Sequence, residues 1–176
     1  MDQTIVVIGS TNTDIVIKAD HLPLPGETIL WSNLFLNAGG KGANQAVAAA
    51  RLGGHIFFIT KTGNDIFGRQ SAQLFNNEGI DTSFLFADPR HPSGMALITV
   101  DRNGENCIAV VPGANATLNV DDINKARPAI ENASIVLMQL EIPIETVNYA
   151  ASLAISRGIR IVLNPAPYQE LPEQLF

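Results

Sequence analysis

The sequence predicts an α/β protein: a mainly parallel central sheet with a small antiparallel sheet beside it. Three observations carry this. Short β-branched apolar runs alternate with helical patterns along most of the chain, as βαβ units require. Two further pairs of strands are joined by turn-rich loops with no helix between them, which makes hairpins rather than crossovers. Hydrophobic residues make up 46% of the 176 and charged residues 16%. That is enough apolar content for a packed core and too little charge for a disordered chain.

The elements follow in order. Residues 4–8 form an apolar run with two adjacent valines, closed by Gly9-Ser10; this reads as a buried parallel strand. Residues 14–19 and 28–36 flank a turn rich in proline and make the first hairpin. An alanine-rich helix is predicted over 43–52 and a strand over 56–60. A helix over 67–77 follows, with Asp65 as its N-cap. Residues 95–100 and 107–111 flank Asn103-Gly104, a strong hairpin signal. The segments at about 14–36 and 94–111 together form a lid, in which Ala96, Ile98 and Val100 share one face by alternation. Then come a helix over 120–131, a strand over 134–140, a helix over 145–157 and a strand over 159–163. Residues 171–176 read as the start of a further helix, so the chain is expected to be truncated.

Composition narrows the partners. The net charge is −6, which argues against nucleic acid or an anionic membrane. No apolar run approaches the roughly 20 residues that cross a bilayer. The first residues lack the basic region of a signal peptide, and a cytoplasmic location is expected. Cys107 is the only cysteine, which excludes an intrachain disulfide or a cysteine zinc site. His21, His55 and His91 lack metal-ligand spacing, and no metal site is expected.

In open parallel sheets, ligands bind beyond the carboxyl ends of the strands. Polar residues gather there: Asn12 and Asp14 after the first strand, and Glu141 after the strand over 134–140. The run Ala38-Gly39-Gly40-Lys41-Gly42-Ala43-Asn44 opens a helix. A glycine turn of this kind presents bare backbone N–H groups and lets a ligand approach closely. It is not a Walker A loop, because Gly42 stands where Ser or Thr is needed, and it lacks the third glycine of a dinucleotide fingerprint. Carboxylates and amides suit a neutral, polyhydroxylated ligand. On the residues alone, Asn12 and Asp14 are equally at home in a turn, and Glu141 at a solvated strand end.

Residues 38–53 closely resemble the first signature of the PfkB carbohydrate kinase family. Further motifs occur in that family's order: Gly9-Ser-Thr-Asn-Thr-Asp14, Thr62-Gly-Asn-Asp65, Pro112-Gly-Ala-Asn115, Met138-Gln-Leu-Glu141 and Asn164-Pro-Ala-Pro167. The resemblance covers nearly all of residues 1–176. It implies the N-terminal part of a three-layer, Rossmann-like fold with a β lid, the C-terminal part being missing. It also implies ATP-dependent phosphorylation of D-ribose at its 5-hydroxyl, with Mg2+ and a monovalent cation such as K+. On this resemblance Asn12 and Asp14 bind sugar hydroxyls, and Gly40, Lys41, Gly42, Ala43 and Asn44 hold the sugar from the glycine run. Glu141 closes the ring, Ala96, Ile98 and Ile108 lie above the sugar, and the lid makes a homodimer contact.

The family's second signature, a pattern like Asp-Thr-x-Gly-Ala-Gly-Asp, is absent from the sequence. No residue here is therefore assigned as catalytic base. The catalytic aspartate is expected beyond residue 176 and the isolated chain is expected to be inactive. Two alternatives stand beside this reading: another sugar or nucleoside kinase of the family, and a non-catalytic sugar-binding module.

Overall fold

The computed structural model describes residues 4–30 and 33–171. In chain order its first half contains β1 (Thr4–Ile8), β2 (Asn12–Lys18), β3 (Asn33–Gly39), α1 (Lys41–Arg51), β4 (His55–Gly63), α2 (Ile66–Asn77) and β5 (Leu85–Asp88). The second half contains β6 (Gly94–Val100), β7 (Asn106–Val111), a 3-10 turn (Gly113–Thr117), α3 (Val120–Lys125), α4 (Arg127–Glu131), β8 (Ile135–Met138), α5 (Ile144–Ser156) and β9 (Arg160–Leu163).

The central sheet has the order β5-β4-β1-β8-β9, and every neighbouring pair is parallel. β1 is apolar from Ile5 to Ile8 because both its faces are covered there. Val6 and Ile8 point to one side, among Ile123, Ile130 and Val147 of α3, α4 and α5. Val7 points to the other, among Ala43, Ala46 and Phe75 of α1 and α2. Helix, sheet and helix are thus the three layers. Each fully buried Val, Ile or Phe here contributes about 1.5–3 kcal/mol. Phe58 and Phe75 add an edge-to-face contact with centroids 5.1 Å apart.

The lid is the sheet β3-β2-β6-β7. Its outer pairings, β2 with β3 and β6 with β7, are antiparallel, as expected of two hairpins. Its central pairing, β2 with β6, is parallel. The chain from α1 to β5 lies between the two hairpins and supplies the long crossover that a parallel pair needs.

Several boundaries differ from expectation for identifiable reasons. The helix predicted over 120–131 is two helices that meet at Ala126. Pro128, in the first turn of α4, has no N–H and cannot continue the ladder from α3. β5 was not foreseen; four residues are too few to show a period. α1 begins at Lys41, two residues ahead of its predicted start. The described part of the strand predicted over 28–36 begins at Asn33 and runs on to Gly39; residues 31–32 lie outside the described residues. So does the helix start expected at 171–176, beyond Leu171. Asp65 caps α2 as expected, accepting the Gly68 N–H at 2.9 Å.

Candidate functional site

Only Gly9, Ser10 and Thr11 separate β1 from β2. The second strand therefore starts at the carboxyl end of the first, and Asn12 and Asp14 share one face of it. Register carries this face across the lid. Asp14 lies beside Ala96, Ala96 beside Val110, and Ile98 beside Ile108. β3 then delivers the chain through Gly40, at φ 91°, into the first turn of α1. These elements enclose a cavity of about 370 Å³. Asn12, Asp14, Gly40, Lys41, Asn44 and Glu141 form its polar half, and Ala96, Ile98, Ile108 and Val110 its apolar half.

Gly42 and Ala43 belong elsewhere. Gly42 packs on the turn after β1, where an added Cβ would stand 2.6 Å from the Gly9 carbonyl carbon and the Ser10 nitrogen. Ala43 is buried and donates its N–H to the Ser10 carbonyl at 2.9 Å. Both residues seat the helix rather than line the cavity.

The N–H groups at the start of α1, expected to be bare, are taken. The Lys41 N–H donates to Glu141 Oε2 at 2.9 Å and the Gly42 N–H to Ser10 Oγ at 3.3 Å. Ser10 Oγ in turn donates to Glu141 Oε2 at 2.6 Å. Glu141 thus caps α1 from a distant part of the chain, with its negative charge at the helix's positive end. Its Oε1 lies 3.6 Å from Lys41 Nζ. Ser10 went unassigned in the sequence, although a polar residue directly after a buried strand was a signal. Val110 was unassigned too, although it lies two residues beyond Ile108 and hence on the same face.

The Asp14 carboxylate lies over Gly39, where a Cβ would collide with it. Its pKa is raised from the ordinary 3.8, first by burial and then by the negative charge of Glu141. A second cavity, of about 460 Å³, adjoins the first. It shares Asn12, Lys41, Val110 and Glu141 with the first, and is otherwise lined largely by Pro112, Leu140, Ile142, Pro143 and Pro167.

Among the described residues, the Lys41 and Gly42 amides that open α1 are already bonded, and no group of three His, Cys, Asp or Glu could hold a metal. No helix among them is long and apolar enough to cross a membrane.

The sequence profile of the pfkB family carbohydrate kinases matches residues 2–176. This chain belongs to the pfkB family. A ribokinase from Haemophilus influenzae is 42% identical over 176 residues, which is all of this pfkB chain and 58% of that relative. A deoxyribokinase from Salmonella typhi is 38% identical over 163 residues, 93% of this chain and 53% of its own length. Among solved structures, the ribokinase of Arabidopsis thaliana complexed with ribose and ATP matches with a TM-score of 0.87 at 31% identity. That match covers 99% of this chain and 57% of the other. The chain thus spans a little over half the length of these pfkB relatives, and its three-layer body with a separate lid is the fold expected of it.

Proposed function

We propose that this chain carries the sugar site and lid of a ribokinase, in which the γ-phosphoryl group of ATP passes to the 5-hydroxyl of D-ribose. The observation that supports it best is the divided cavity: carboxylates, amides and an ammonium on one wall, aliphatic side chains on the other. Ionised Asp14 accepts two hydroxyl hydrogen bonds, and Lys41, Asn44 and Glu141 Oε1 meet the remaining oxygens. Ile98 and Ile108 cover the carbon face of the ring and exclude water, which strengthens the polar contacts beneath. ATP, Mg2+ and a monovalent cation such as K+ enter by the family resemblance, and no residue of this chain is assigned to them.

The deoxyribokinase relative favours a second reading, in which the sugar lacks the 2-hydroxyl. Titration calorimetry with D-ribose and 2-deoxy-D-ribose separates the two. Ribose is expected to bind roughly tenfold more tightly, since the deoxy sugar leaves a buried polar group unpaired. Tighter binding of the deoxy sugar would reverse the assignment. No heat with either sugar, from a chain shown to be folded, would remove both.

A second copy of the chain is the proposed partner of the lid. Leu36, Ile15 and Leu97 lie side by side across three strands of its outer face, and Leu36 and Leu97 are 56% and 50% exposed. Apolar area of this kind marks an interaction surface. Leu97→Lys is expected to shift the sedimentation coefficient from dimer to monomer. A wild-type chain that is monomeric at high concentration would exclude the dimer.

A further inference from the structure

A buried side-chain amide is costly unless its polar atoms are partnered. Asn115, in the 3-10 turn after β7, is 2% exposed and fully partnered. Its Oδ1 accepts the Thr11 N–H at 2.9 Å. Its Nδ2 donates to the Thr11 carbonyl at 3.0 Å and to Asn12 Oδ1 at 2.8 Å. All three contacts reach the end of the short turn between β1 and β2 and the first residue after it. Two hold the Thr11 backbone, and the third holds the Asn12 side chain in the cavity wall.

The network also fixes which amide atom points where. Turned by half a rotation, Asn115 would set its oxygen against the Thr11 and Asn12 oxygens, and its NH2 against the Thr11 N–H. Every contact would become repulsive, so one orientation holds. With Asn12 Oδ1 committed, Nδ2 is the end of Asn12 left for the cavity, and it has no hydrogen-bond partner among the described residues. Gly94 makes the arrangement possible. It pairs with Asn12 across β2 and β6, and a Cβ there would collide with both Asn115 Nδ2 and Asn12 Oδ1.

We propose that Asn115 is a positioning residue for sugar recognition, holding the Asn12 carboxamide so that the cavity meets a hydrogen-bond donor and not an acceptor. This rests on the reading of the cavity as the sugar site. Its chemical use follows from Asp14, two residues along on the same strand face. A hydroxyl that gives its single proton to a carboxylate can only accept from any other neighbour. An Asn12 free to turn would offer that hydroxyl an oxygen part of the time. Locked by Asn115, it always offers N–H.

Asn115→Asp tests this, because it keeps the size and the acceptor for Thr11 but removes the donor. Asn12 should then turn its NH2 toward position 115 and its oxygen toward the cavity. In the ligand-free chain the Asn12 side-chain amide resonances are expected to move while most backbone resonances stay. Ribose should bind roughly tenfold more weakly. In an Asn12→Ala background the same substitution should change ribose affinity little, because its effect runs through Asn12. Fully additive losses would overturn the proposal and make Asn115 a purely structural residue. So would Asn12 resonances that Asn115→Asp leaves in place. Should that variant not fold, Gly94→Ala crowds the same contact without altering either amide, and the same shifts and loss are expected of it. A wild-type chain that binds no ribose would refute the reading of the cavity, while the resonance comparison would still decide the positioning.

Discussion

Gly42→Ala is expected to unseat α1 and to weaken sugar binding with it. On an isolated helix the change would stabilise, by up to about 1 kcal/mol. Here the new methyl would stand 2.6 Å from the Gly9 carbonyl carbon and the Ser10 nitrogen, and 2.8 Å from the Gly9 Cα. All three are backbone atoms at the buried end of β1, so none can rotate aside. Relief requires the helix to move outward, and overpacking of this kind costs about 1–3 kcal/mol. We expect a net loss of about 2 kcal/mol, read as a lower urea midpoint with unchanged slope. Moving α1 also stretches the bonds from Lys41 and Gly42 to Glu141 and Ser10, so ribose affinity should fall in parallel. An unchanged midpoint would mean that the helix has slack the packing does not suggest.

Asp14→Asn is expected to separate stability from binding. Asp14 is held above the ordinary carboxylate value of 3.8 by burial, with Glu141 adding to the effect. Its ionisation therefore opposes folding. The sign follows from linkage. The unfolded chain gives up this proton at lower pH than the folded one, so its contribution to stability is whole below the unfolded value. That contribution is lost as pH rises through the raised folded one. At neutral pH the asparagine variant should melt higher than the wild type. Its ribose affinity should fall by roughly ten- to a hundredfold, the loss expected for hydrogen bonds to a charged acceptor. The affinity of the wild type should also decline on acidification, beginning above the range of an ordinary aspartate, and in the variant this decline should be absent. An Asp14→Asn chain that binds ribose as tightly as wild type would remove Asp14 from the site.

Much of the candidate site is legible in the sequence. Alternation along β2 and β6 puts Asn12 and Asp14, and Ala96 and Ile98, on single strand faces, and the strand-end rule brings them near Glu141. What the sequence hid was occupancy. The amides that open α1 look free in a linear reading because Glu141, which takes one of them, comes from 100 residues further on. The parallel joint of the lid was equally hidden, since it depends on how two distant hairpins dock. The break at Pro128 was different: its signal stood in the sequence, since a proline cannot continue the helical ladder. Within the glycine run, spacing could not separate Gly40, which lines the cavity, from Gly42, which seats the helix. Only the contact of Gly42 with Gly9 and Ser10 does that.

The parallel joint between β2 and β6 also bears on the order in which the molecule assembles. Each lid hairpin closes a local loop and can form early. The joint pairs Asn12 with Gly94, and the chain between them, which makes α1, β4, α2 and β5, is the loop that must close for the strands to meet. Contacts so distant in sequence carry a large closure entropy and form late. The cavity straddles that joint, with Asn12 and Asp14 on one side and Ala96 and Ile98 on the other. The cavity thus waits on a long-range pairing, and a chain stalled with both hairpins built but undocked would have its wall residues and no cavity.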